Sequence, residues 1–290
     1  MSQPAVIDSA ELGLFGPDSV TWQLHADPAA FLGGVRSLFL QALHPRVVAG
    51  VMQNSDFRND PLGRLERTAD FIGRVTYGTV DEARAAGARI RRVHRALSAT
   101  DPGTGERYGL DDPELLMWVH CTEVGSFLSV ARRAGYPITK AHADRYLHEQ
   151  RTSAGLVGLD PETVPSTVEQ LRDYFVRAYP SLRHTPDAAE VGDFLHRPPL
   201  KGRLAMVTPL YQVAIGRLAY SLQPEWARRM WGARSYPETV TTGMLRALRA
   251  AAFAVPERFL ADDGPEPAPV TAVRRLGQWA APSPERLPRI

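Results

Sequence analysis

Residues 81–97 read DEARAAGARIRRVHRAL. At helical period Ala83, Gly87, Ile90, His94 and Leu97 share one face, while Arg84, Arg89, Arg92 and Arg95 fall outside it. The spacing predicts a helix that is basic toward solvent and apolar toward a core, with one histidine in the apolar stripe. A neutral imidazole in such a place needs a hydrogen bond or a metal to offset the loss of water. Thr79, three residues before Glu82, supplies the capping signal for this helix.

The segments on either side are punctuated in the same way. Asp60-Pro61 places a capping side chain before a proline suited to the first helical turn, and the helix it opens runs to Gly78. Asp112-Pro113 opens ELLMWVHCTEVGSFLSVARRAG, apolar on most sides until Arg132 and therefore expected deep inside. Asp27-Pro28 precedes AAFLGGVRSLFLQAL, which also reads as buried, and His44-Pro45 breaks it from a shorter helix. Ser166 with Glu169 reads as a further capping box. Residues 100–108 are turn chemistry, and the chain as a whole shows no period-2 run longer than four residues and no hairpin signal. The expected fold is all-α: a single large multi-helix globular domain of about ten helices over residues 1–260. The proline-rich tail 261–290 is expected to be extended or disordered.

Composition narrows the function. A net charge of +2 gives no footprint for nucleic acid. Cys121 is the only cysteine, which excludes an intramolecular disulfide and a four-cysteine metal cluster. No apolar run is long enough for a transmembrane segment, and the N-terminus lacks a signal-peptide pattern, so a cytoplasmic location is expected. Phosphate loops, nucleophile elbows and multi-histidine zinc spacings are all missing.

What remains is a set of polar groups on apolar helices. Leu65, Thr68, Ala69 and Ile72 define the expected buried face of the helix before His94, with Arg64 and Arg67 at its edges. Antiparallel packing would turn Arg64, Arg67 and Thr68 toward the cavity that His94 faces. His120 and Glu123 lie one turn apart on the deepest helix, and His44 ends another. Each has a plainer reading: His94 as a hydrogen-bonded core residue, Thr68 bonded to its own backbone, Arg64 and Arg67 paired with Asp60 and Asp70, and His120 with Glu123 as a buried polar pair.

The order of three segments carries a resemblance: LQALHPRVVAGVMQNSDFRNDPLGRLERTADFIGRVTYGT (40–79), EARAAGARIRRVHRAL (82–97) and GERYGLDDPELLMWVHCTEV (105–124). Together they resemble the MpaB-type oxygenases, an actinobacterial and fungal group related to the latex clearing protein, a rubber oxygenase. The resemblance implies an all-α fold enclosing one haem b, a small-molecule substrate, and dioxygen or peroxide as oxidant. It places the iron ligand at His94. It gives Arg64 and Thr68 a place in the pocket, Arg91 or another arginine the haem propionates, and His44 and His120 proton transfer or support. Two departures stand out. Arg67 replaces the family's distal lysine, and no carboxylate occurs between Pro45 and Ser55, where the rubber enzyme is served by a glutamate base. A small, largely apolar substrate is therefore expected rather than polyisoprene. The sequence leaves two other readings open, a non-catalytic haem-binding or gas-sensing protein and a haem-free helical binding module, and it does not set the oligomeric state.

Overall fold

A computed structural model describes residues 8–199, 206, 208–254 and 266–290, with the backbone alone at Leu62. In chain order the helices are α1 (Ser9–Leu12), α2 (Val20–His25), α3 (Ala29–Ala42), α4 (Pro45–Asn54), α5 (Pro61–Tyr77) and α6 (Val80–Ala96). A small hairpin follows, β1 (Ser98–Thr100) and β2 (Arg107–Gly109). Then come α7 (Pro113–Arg133), α8 (Lys140–Val157), α9 (Val168–Ala178), α10 (Pro186–His196) and α11 (Thr208–Tyr211). After a π-helical turn (Gln212–Gly216), α12 (Arg217–Ser221), α13 (Glu225–Trp231), α14 (Glu238–Ala254) and α15 (Ala268–Leu276) complete the chain. The expected all-α fold is observed.

The caps read from the sequence hold the principal helices. Asp60 accepts from the Gly63 amide, Asp112 from Glu114, and Thr79 and Glu82 form a reciprocal capping box at α6. At α9 the box is shifted by one residue. Thr167 accepts from the Gln170 amide, and the Gln170 side chain reaches back to Ser166. The hairpin was not expected. Three-residue strands are too short to show alternation, and Gly105, at φ +74°, makes the turn that closes them.

The core forms where α3 crosses α7. A Cβ at Gly33 would lie 2.8 Å from the Phe127 ring, so the two backbones approach as only glycine allows. Arg36 of α3 is buried there, donating to the Leu222 carbonyl and the Ser126 hydroxyl, and desolvation pulls it down to about 10. A second cluster joining α7 and α8 takes in Val124, Phe127, Tyr146 and Leu147. Gly87 lets α6 meet α8, since a Cβ there would lie 2.9 Å from both the Leu156 side chain and its carbonyl oxygen. The chain beyond residue 265 departs from the extended or disordered reading where it is described. α15 and the turns after it cover Trp22 and Tyr77, with Ala272, Leu276 and Ala280 buried and the Trp22 indole donating to the Ala280 carbonyl.

Candidate functional site

Helices α2, α5, α6, α7 and α8 close around one pocket. Its walls are Phe71, Ile72 and Val75 of α5, Leu116, Val119 and Val124 of α7, and Val157 of α8. Into this apolar setting five helices bring polar groups: His25, Thr76, His94, His120 with Glu123, and Gln150 with Ser153. The cavity itself is about 80 Å³, set in a cleft of about 580 Å³ counted out to its mouth.

Most of these polar groups are occupied. His25 lies between the Thr76 hydroxyl at 3.0 Å and the Tyr146 hydroxyl at 2.9 Å. Gln150 donates to the Thr21 hydroxyl and accepts from Ser153. Three are not. His94 Nδ1 and His120 Nε2 are buried with no hydrogen-bond partner among the described residues. Glu123 makes no ion pair among them, and its carboxyl faces the cleft. Burial holds His25 and His120 at about 4 and also lowers His94, against a smaller opposing pull from Asp111. All three imidazoles are thus neutral near pH 7. The same burial pushes the Glu123 carboxyl up to about 7.

Of the residues singled out from sequence, the structure brings together His94, His120 and Glu123. The others lie elsewhere. Thr68 is exposed and bonds the Arg64 carbonyl one turn back, and Arg67 is exposed and paired with Asp60 at 3.0 Å. Arg64 lines a separate small cavity with Leu38, Val48, Val51 and Phe194, and burial lowers its pKa. His44 is buried against Trp118 with Nδ1 unpartnered among the described residues. Arg91 donates to the Leu156 carbonyl and so ties α6 to the end of α8. Sequence reading missed His25, Thr76 and Gln150. A shallow cleft of about 400 Å³ between α5 and α15 holds more charge, but its Asp70, Arg74, Glu82 and Glu266 are already engaged with one another, with a helix cap or with neighbours.

A family model described as "ER-bound oxygenase mpaB/B'/Rubber oxygenase, catalytic domain" matches residues 22–254. The chain belongs to this oxygenase family. No curated protein and no solved structure matches it. The matched span carries every helix that lines the pocket, so the site belongs to the oxygenase catalytic domain. Membership makes the chain an oxygenase-type enzyme with a small-molecule substrate and dioxygen. No helix among the described residues is long and apolar enough to cross a membrane.

The residues at the pocket fit a haem in their donor chemistry. Haem iron can be held by a neutral imidazole with a free nitrogen, and His94 presents a neutral imidazole with a buried, unpartnered nitrogen. The walls are apolar, as a porphyrin face requires. By contrast, no group of three or more metal-ligating side chains occurs among the described residues, which speaks against an iron held by protein donors alone. The cavity admits two or three waters at about 30 Å³ each, and a macrocycle needs the wider cleft.

Proposed function

We propose that this chain is a haem b-dependent oxygenase or oxidase acting on a small, largely apolar organic substrate, with His94 as the residue that would hold the iron. The observation that carries the reading is the buried, unpartnered nitrogen of His94 in an apolar pocket of an oxygenase catalytic domain. An unsatisfied buried polar atom costs about 1–3 kcal/mol, and a metal bond removes that cost. Bound haem supplies the redox chemistry of dioxygen or peroxide.

The chain's own part is to hold the ligand neutral, keep the pocket dry and orient the substrate. Desolvation performs the first task, since a protonated His94 could not bind iron. Phe71, Ile72, Val75 and Val119 perform the second and offer an apolar substrate its contact surface. His25, fixed between Thr76 and Tyr146, braces α2 against α5 and α8 and so sets the pocket's width. Arg67 and Thr68 direct their polar atoms to Asp60 and to the helix backbone, and Arg64 lines a separate cavity, so none of the three is given a role at this pocket.

The test is the visible spectrum of the purified chain supplied with haem. A Soret band is expected, and it should shift or vanish in His94→Ala while the far-ultraviolet spectrum stays helical. No band in the wild type, or the same band in the variant, refutes the assignment.

A further inference from the structure

Three ionisable groups of the pocket have no protein partner among the described residues, and they divide by chemistry. His94 is taken by the iron in the reading above. His120 is a neutral imidazole that burial keeps from protonating near pH 7. Glu123 is an oxygen acid with its carboxyl on the cleft. We propose that Glu123 is the proton-transfer residue of this pocket, accepting a proton from a small protic ligand H–X as the X anion binds beside it and returning that proton to X when the ligand leaves. The assignment rests on the haem reading of the pocket and deepens it.

Geometry supports it from every side. On α7 the carboxyl stands one turn beyond His120 and is flanked by Val119 and Val124. From α2 the facing group is His25, committed to Thr76 of α5 and Tyr146 of α8. The Glu123 charge adds to the burial that raises Tyr146. From α8 come Gln150 and Ser153, both already bonded. From α6 comes His94. No cation among these neutralises the carboxylate, so its proton affinity is set by the dry pocket, and the value near 7 lets it both take and give a proton at physiological pH. Arg91 of α6 donates to the Leu156 carbonyl.

The transfer balances: an acid H–X gives its proton to a Glu123 carboxylate oxygen, the X anion is bound, and the carboxylic acid formed holds the proton for the next step.

Cyanide is the probe, because it enters as HCN and binds ferric haem as the anion, so its proton must be taken by a pocket base. Association with the haem-loaded full chain is followed at the Soret band from pH 5 to 9 in the wild type, Glu123→Gln and Glu123→Asp. The wild-type rate should rise as the carboxyl ionises around pH 7. Glu123→Gln should bind at least about tenfold more slowly at pH 8 with that rise abolished, and Glu123→Asp should recover part of both; a tenfold loss corresponds to about 1.4 kcal/mol. A Glu123→Gln chain with a normal Soret band and the wild-type rate and profile overturns the assignment alone. A wild-type chain with no Soret band overturns the reading beneath it.

Discussion

Replacing Glu123 by glutamine should make the protein more stable, and only at neutral and alkaline pH. The carboxyl's ordinary value is 4.5, and the folded chain holds it at about 7 through desolvation. Folding therefore favours the protonated form. The stability this group permits is complete below pH 4.5, falls as pH rises from 4.5 to 7, and stays low above 7. At 1.36 kcal/mol per pH unit the gap amounts to roughly 3 kcal/mol. Because Glu123 is half-buried and its oxygens face the cleft, screening reduces this to about 1–3 kcal/mol. Glutamine keeps the shape and never ionises. Urea unfolding of the full chain at pH 8 should show the variant more stable by that amount, with the gain shrinking toward zero as pH falls toward 4.5. Equal stability at pH 8, or a gain that persists into acid, would refute the claim that the carboxylate is desolvated at its own cost.

The remaining predictions concern the frame of the pocket. His25 is held at about 4 by burial, below its ordinary 6.5, so its contribution is lost as pH falls from 6.5 through 4. His25→Gln keeps partners for Thr76 and Tyr146 and should flatten that acid limb by up to about 3 kcal/mol, read as stability against pH. Gly87→Ala and Gly243→Ala gain the same helix propensity of about 1 kcal/mol. A Cβ at Gly87 meets Leu156 at 2.9 Å, whereas at Gly243 nothing described lies within 4 Å. Thermal melts should place the Gly87 variant about 1–3 kcal/mol below the Gly243 variant. Asp27 is 1 % exposed, pairs with Arg249 at 2.6 Å and accepts from the Ala29 amide. Asp27→Ala should cost about 3 kcal/mol, the low end for a broken buried pair because Arg249 keeps some contact with water. A loss under 1 kcal/mol in urea would show the pair to be incidental.

The helix that carries His94 was legible because everything that fixes it is local: a 3.6 period, a capping box four residues long, and arginines that cannot be buried unpaired. The structure buries Ala83 and Gly87 and exposes Arg84, Arg89, Arg92 and Arg95 as that pattern requires. The neighbouring helix shows the limit of the method. Its period identified which residues share a face but not where along the face packing begins. The partners of α5 meet its last turns at Ile72, Val75 and Thr76, and Leu65 and Thr68 are left exposed among the described residues. His25 was invisible for another reason. It ends a six-residue helix too short for periodicity, and its partners lie 51 and 121 residues away. His120 and Glu123 were visible as a pair, but whether such a pair meets a cavity depends on where α5, α6 and α8 come to rest.

The way this protein treats its other buried polar atoms bears on what the pocket is for. Arg36 is met by a carbonyl and a hydroxyl, and the Gln23 side chain both donates to the Pro17 carbonyl and accepts from the Ser283 amide. Where an atom elsewhere is left alone, its side chain is often partly satisfied: Gln223 still donates through Nε2 to the Arg36 carbonyl, and Arg275 through Nη2 to the Tyr77 carbonyl. His94 and His120 have no hydrogen-bond partner among the described residues, as the His44 ring and the Trp231 indole have none, but these two share one pocket with an uncompensated carboxyl. At about 1–3 kcal/mol for each unmet group, this concentration approaches the whole margin by which a domain is stable, roughly 5–15 kcal/mol. A purely structural core would be rid of that cost by exchanging the histidines for leucine. The cost is explained if a ligand meets these groups, and a metal-centred cofactor meets a neutral imidazole with a bond that leucine cannot make.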